Sequence, residues 1–210
     1  MASSAVRHPI FARVFDRLSR VMEAEAGPYR EEMLAGLSGT VVEVGAGNGI
    51  NFSHYPAGVD QVIALEPEPY MRAKAQAAAA AAAIPVTVQA ATADSLPVES
   101  GHADAVIASL VLCSVPDQRS ALAELRRVVK PGGELRFLEH VRADGQGKAR
   151  FQRTLDRSGL WPLVGGGCHC SRDTVGAIEA AGFTVTKVRR VNLGPAWIIT
   201  NPHMLGAARA

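Results

Sequence analysis

Thr40-Val41-Val42-Glu43-Val44-Gly45-Ala46-Gly47-Asn48-Gly49-Ile50-Asn51 is the stretch that decides the fold. A β-branched run ends in an acid and a valine, and three glycines follow at alternate positions. The apolar run suits a strand buried on both faces of a parallel sheet. The glycines let the backbone turn sharply and approach a ligand with no Cβ in the way. The residues that follow are placed to open a helix, whose N-terminal amides attract a carboxylate or phosphate. The stretch therefore predicts a βα unit able to hold a nucleotide.

The glycine spacing narrows the choice of nucleotide. A dinucleotide loop reads G-x-G-x-x-G, with the third glycine allowing close packing beside a pyrophosphate. Here Gly45, Gly47 and Gly49 alternate and Ile50 follows, which argues against an NAD-dependent oxidoreductase. A second strand, Val62 to Leu65, ends in Glu66. An acid about twenty residues beyond the first glycine can hold a ribose diol. The alternative is an exposed strand-end carboxylate.

Four segments carry a family resemblance: Val42 to Gly49, Ala64-Leu65-Glu66-Pro67, Ala93-Asp94-Ser95-Leu96-Pro97, and Leu125 to Gly133. In order and spacing they resemble class I S-adenosylmethionine-dependent methyltransferases over about residues 38 to 200. The resemblance implies that Gly45, Ala46, Gly47 and Gly49 line the methionine part of the cofactor. It implies that Glu43 and Asn51 help place the ammonium and carboxylate, and that Glu66 binds the ribose hydroxyls. Pro67 and Met71 would flank the adenine, Thr92, Ala93 and Asp94 would reach its edge, and Leu110 would close the cofactor site. Many relatives carry an acid where Thr92 stands, so Asp94 is the alternative contact to the adenine amino group.

A narrower resemblance joins Ser109 to Val115, Leu138-Glu139-His140-Val141, and Gly167-Cys168 with Arg172, together with Asn51-Phe52 and Tyr55-Pro56. These are similar to the methyltransferase-like thiol S-methyltransferases, which are membrane-associated in animals. The long apolar N-terminal anchor of the animal members is not seen in this sequence. The resemblance implies methyl transfer to a small-molecule acceptor, foremost the sulfur of an apolar thiol. Quinone, phenol or phospholipid-amine methylation is the alternative, and a non-catalytic cofactor-binding protein a further one.

Acceptor residues are expected at the C-terminal ends of the strands. Leu112, Cys113 and Trp161 are the candidate acceptor contacts, and His140 is the candidate general base. His140 also reads as a strand-end histidine with satisfied partners, and Cys113 as a small core hydrophobe. Cys168-His169-Cys170 lacks the paired spacing of a zinc site, so no metal is expected.

Composition fits these readings. The 210 residues suffice for one sizeable core, and the formal charge of +2 shows no basic patch suited to nucleic acid. Three cysteines are too few for a disulfide framework, and no signal peptide is evident, so the expected location is cytoplasmic.

Alternating patterns predict strands at 40–44, 61–65, 85–90, 103–109, 133–139, 184–191 and 196–200. Helices are predicted at 50–54, 69–83, 117–129 and 171–181. The fold expected is α/β: a doubly wound, mostly parallel seven-stranded sheet, with an antiparallel last strand implied by the resemblance. One domain is expected over 1–210, with 1–37 as an N-terminal helical lid. In that lid Ile10, Phe11, Val14, Phe15, Leu18, Val21 and Met22 recur at helical spacing. They read as the inner face of a lid, or as a weak membrane-surface contact.

Overall fold

The computed structural model describes residues 9–195 and 197–210. Its seven strands form one sheet in the order β3-β2-β1-β4-β5-β7-β6. Strands β1 (Gly39–Val44), β2 (Val59–Leu65), β3 (Val86–Gln89), β4 (Ala103–Ser109) and β5 (Val129–His140) pair in parallel. Strand β7 (Pro202–Arg209) enters antiparallel between β5 and β6 (Thr184–Asn192). β1 therefore lies mid-sheet, and its residues 41 to 44 are all buried. Alternation along the strand sends Val41 into the core cluster beneath α2 (Glu23–Leu34) and α3 (Pro69–Ala79). Val42 and Val44 join the opposite cluster, beneath α4 (Gln118–Val128) and α7 (Thr174–Ala180).

Local chemistry explains the helix limits that position the site. Asp117 caps α4 by accepting from the Arg119 amide at 3.0 Å, and Ala121, Leu122, Leu125 and Val128 form its fully buried stripe. Burying one such leucine stabilises by roughly 1.5–3 kcal/mol. Glu68 caps α3 through the Met71 amide at 2.8 Å, with Pro69 in the first turn. The stretch expected to remain helical to 83 ends at Ala79, ahead of Ile84-Pro85, where the proline disfavours a helical residue before it. The expected helix at 50–54 is a 3₁₀ turn, Ile50–His54.

Two expectations need correction. The strand expected at 196–200 is not there: residues 197–200 form turns and Trp197 is 83% exposed, while Ala196 lies outside the described residues. The last strand lies instead at Pro202–Arg209, where Gly206 fits between β5 and β6. A Cβ at Gly206 would lie 2.4 Å from the Phe137 ring and 2.7 Å from the Lys187 carbonyl. Room in the sheet, rather than β-propensity, selects that segment. Helices α5 (Gln146–Arg157) and α6 (Leu160–Val164) were not expected. α5 buries only Ala149 and Gln152, so it carries no apolar stripe to read.

The N-terminal segment is helical as α1 (Pro9–Val21) and α2, but α1 is turned over relative to its pattern. It buries Ala12, Asp16 and Ser19, whereas Ile10, Val14, Leu18 and Val21 are exposed. A polar seam holds it down. Asn48 Nδ2 donates to Asp16 Oδ1 at 2.9 Å and lies 3.0 Å from Ser19 Oγ, and Tyr70 Oη donates to Asp16 Oδ2 at 3.2 Å. Burial opposes the charge on Asp16, but Asn48, Arg20 and Tyr70 together keep its pKa below the usual carboxylate value.

Candidate active site

The glycine loop links β1 to the 3₁₀ turn, and its three glycines do different things. A Cβ on Gly45 would lie 2.4 Å from Val111, and one on Gly49 would lie 2.7–2.8 Å from Phe52 and Ala78. Those two positions let neighbours pack against bare backbone. Gly47 has only Met71 Cε at 3.5 Å and the Gly45 carbonyl at 4.0 Å. The open approach to the loop is therefore at Gly47, with φ +59 and no side chain to obstruct it.

Glu66 reaches back to this loop from the end of β2. Its Oε2 accepts from the Gly47 amide and its Oε1 from the Glu68 amide, each at 2.8 Å. The carboxylate is 7% exposed, so it is not a solvated strand end. A carboxylate offers about four acceptor sites, and two remain for a diol. Burial pushes its pKa up to about 7, against the pull of the two amides.

Behind the loop lies a buried polar chain. Arg30 Nη1 donates to Asn51 Oδ1 at 2.7 Å, and Asn51 Nδ2 donates to Glu43 Oε1 at 2.6 Å. Tyr55 Oη donates to Glu43 Oε2 at 2.8 Å, and Glu23 receives Arg30 Nε at 3.2 Å. Burial lifts the Glu43 pKa to about 7, while Tyr55, Asn51 and Arg30 favour its anion. Arg30 lies outside the glycine-loop motif, on α2 rather than in the βα unit, and no motif marks it.

The residues expected to flank an adenine are less enclosed. Met71 is buried against the loop and Pro67 is partly buried, whereas Thr92 and Ala93 are partly buried and Asp94 is exposed. Thr92 and Ser95 close a small bridge that fixes this segment.

The residues expected at the acceptor end come from three distant segments. After β4 the chain turns at Leu110, whose φ of +59 is rare for a residue with a side chain. Glu139, fully buried, then accepts three successive amides: Val111 at 2.8 Å, Leu112 at 2.9 Å and Cys113 at 3.0 Å. Burial drives the Glu139 pKa well above the usual range, and the three amides oppose that rise. Leu112 points its side chain into the core cluster with Leu122 and Leu125. Its carbonyl accepts Arg172 Nη1 at 2.6 Å, so Leu112, expected as an acceptor contact, is wholly buried.

His140 and Cys113 meet here, together with Cys168 from the loop after α6. His140 Nδ1 is 3.5 Å from Cys113 Sγ and 3.4 Å from Cys168 Sγ. Burial works against charge on His140, yet the Cys113 sulfur and Glu139 outweigh it and raise its pKa. The sequential Cys168-His169-Cys170 trio does not converge: Cys170 turns to Asp156, and His169 Nδ1 contacts the Gly167 carbonyl at 2.8 Å. Trp161 lies on α6 with its indole against Gly165. Its Nε1 is, among the described residues, the buried side-chain polar atom that has no hydrogen-bond partner. Phe11 of α1 packs on Gly166, so α1 also touches this loop.

A doubly wound sheet of this order, with an open glycine at the end of β1 and a buried acid at the end of β2, defines a class I S-adenosylmethionine-dependent methyltransferase. The methyltransferase domain family matches residues 42–137. Human thiol S-methyltransferase TMT1A is 36% identical over 180 residues, covering 83% of this chain and 72% of that protein. Human TMT1B is likewise 36% identical, with 83% and 73% covered. Among solved structures, an S-adenosylmethionine-dependent methyltransferase of Mesorhizobium loti aligns with TM-score 0.66 at 22% identity, over 88% of this chain and 97% of that one. N-methyltransferase NodS of Bradyrhizobium japonicum aligns with TM-score 0.66 at 17% identity, over 90% and 96%. The chain belongs to the methyltransferase family that includes these thiol S-methyltransferases, and it is an S-adenosylmethionine-dependent enzyme.

Proposed function

We propose that this enzyme methylates the sulfur of a small, largely apolar thiol. The observation that carries the reading is the 36% identity, over 83% of the chain, to proteins named as thiol S-methyltransferases. The bound cofactor supplies a methyl group already activated on a sulfonium. Gly45, Ala46, Gly47 and Gly49, with Glu43 and Asn51, are the residues to hold its amino-acid end. Glu66 would take the ribose, Pro67, Met71, Thr92, Ala93 and Asp94 the adenine, and Leu110 would be a further cofactor contact.

What remains for the protein is alignment and exclusion of water, which can lower such a barrier by about 7–11 kcal/mol. Helices α1 and α2, within an N-terminal lid of about 37 residues, cover the cofactor through the Asp16–Asn48 seam. Cys113, His140 and Trp161 mark the acceptor end, Trp161 with an unused N–H, while Leu112 supports it from the core, its amide and carbonyl already taken by Glu139 and Arg172. A thiol is a few per cent ionised at neutral pH and needs little help from a base. His140 therefore serves to hold the sulfur and favour its thiolate.

The exposed stripe Ile10, Val14, Leu18 and Val21, with Leu163, Val164 and Trp197, supports shallow contact with a membrane surface. That observation also favours an apolar acceptor, and it is the reason a quinone or phospholipid amine stands as the second reading. Among the described residues, no helix is long and apolar enough to cross a membrane. The three free cysteines support a reducing, cytoplasmic setting. Product mass spectrometry on a panel of thiols, phenols and amines tests the proposal. S-methyl products are expected, and methylation of a phenol or quinone in preference to every thiol would refute it.

A further inference from the structure

The meeting of Cys113, His140 and Cys168 is not used up by the reading above. The three ligand atoms lie within 4.8 Å of one another, on the loop after β4, the end of β5 and the loop after α6. The two sulfurs stand 3.5 and 3.4 Å from the same ring nitrogen, Nδ1 of His140. That nitrogen has one in-plane position, enough for one thiol as hydrogen-bond partner and not for two. A single cation between the three groups would serve both sulfurs at once. Tetrahedral zinc, with Zn–S near 2.3 Å and Zn–N near 2.0–2.1 Å, separates sulfur from nitrogen by roughly 3.5 Å. The two observed sulfur–nitrogen spacings are the ones such a site requires.

The scaffold around the three groups is fixed. Glu139 holds the Cys113 amide at 3.0 Å, and the Cys113 carbonyl accepts the His169 amide at 2.8 Å. Arg172 ties down the carbonyls of Leu112 and Val115 at 2.6 and 2.8 Å. Ser114 Oγ lies 3.4 Å from Cys113 Sγ, where a hydroxyl can support a thiolate ligand from outside the first ring of contacts. The His203 ring packs on His140 at 4.5 Å and fixes its plane. Bracing of this kind is what a metal centre needs from its surroundings.

We propose that Cys113, His140 and Cys168 form a three-ligand site for a soft divalent cation, zinc foremost, with its fourth position open. Two thiolates and one imidazole with an open position is a ligand set that catalytic zinc uses. The site adjoins the cofactor cradle, since Val111, two residues before Cys113, packs on Gly45. An acceptor thiol entering the fourth position would bind as its thiolate, its proton passing to solvent. This last consequence rests on the thiol reading; binding of the cation does not.

The full-length protein, stripped with a chelator and kept reduced, is titrated with Zn²⁺ against a chromophoric competitor and, separately, with Co²⁺. One equivalent of Zn²⁺ is expected, together with a near-ultraviolet thiolate-to-cobalt charge-transfer band. Cys113→Ser, Cys168→Ser and His140→Ala should each weaken binding by more than the roughly 10–100-fold that outer contacts cost. Cys170→Ser should leave binding unchanged. Cofactor binding by each variant, read by calorimetry, shows that it has folded. No stoichiometric binding by the wild type, or binding that survives both Cys113→Ser and Cys168→Ser, overturns the proposal. An acceptor panel run on stripped and reloaded protein separates this result from the thiol reading, because metal binding is read without any acceptor present.

Discussion

The two ends of the active cleft are built differently. At the cofactor end the key groups lie within one βα unit and its neighbouring strand, and Glu66 is satisfied by amides close by in the chain. At the acceptor end Cys113, His140 and Cys168 are brought together only by the tertiary fold, and one carboxylate, Glu139, shapes the loop from a neighbouring strand. The first end is a local device shared with many nucleotide sites. The second is assembled from segments that resemble the thiol S-methyltransferases, and specificity should reside there.

The comparison can be broken most forcefully at Glu139. Replacing it by Ala leaves three backbone amides without an acceptor, and each orphaned donor costs about 1–3 kcal/mol. Denaturant unfolding should show a loss of about 3 kcal/mol or more, with transfer activity failing before the fold does. A loss under 1 kcal/mol would mean that the loop holds its shape without Glu139.

Glu66→Ala is the matching test at the other end. It removes a buried charged acceptor worth about 1.5–3 kcal/mol per hydrogen bond, so cofactor affinity should fall at least about tenfold in calorimetry. Unchanged affinity would detach Glu66 from the ribose.

For the acceptor end, His140→Ala should slow thiol methylation at neutral pH by less than the roughly 10²–10⁴-fold typical of a lost general base. The deficit should close as pH approaches the thiol's own pKa. A deficit that stays constant with pH would contradict a role in favouring the thiolate.

The buried acids also set a pH dependence of stability. Glu43 and Glu66 have folded-state pKa values raised to about 7 from an ordinary 4.5. Their folded forms hold protons that the unfolded chain releases, so this stabilisation is complete below about pH 4.5 and is lost as pH rises through 7. Glu32, pulled down to about 2 by Arg189, acts in the opposite sense and only in acid. Between pH 5 and 8 the unfolding midpoint should fall, and Glu43→Gln should flatten that slope. The smallest effect is expected at α1. Leu18→Ser should change stability by no more than about 0.5 kcal/mol, as for other surface positions, while lowering binding to anionic vesicles.

What was legible in the sequence follows the same division. The glycine loop, Glu66 and the capped stripe of α4 could be read because their parts are near neighbours in the chain. The last strand was misplaced because Ile198-Ile199 looks more like a strand than a segment containing Gly206, whose place depends on the Phe137 ring. The apolar spacing of α1 was read correctly, but the seam of Asp16 and Ser19 onto Asn48 leaves Ile10, Val14, Leu18 and Val21 exposed, while Phe11, Phe15 and Met22 stay partly buried. No spacing rule brings residues 113, 140 and 168 together. Only the order β4-β5 in the sheet and the return of the chain after α6 do so.

Transfer to sulfur is tested by one competition assay. The enzyme is given cofactor labelled with a trideuterated methyl group and an equimolar mixture of an alkyl thiol, a phenol and an amine, and the products are weighed by mass spectrometry. The labelled methyl is expected on the thiol sulfur, matched by an equal amount of demethylated cofactor. Label on the phenol or the amine, with the thiol untouched, would contradict it.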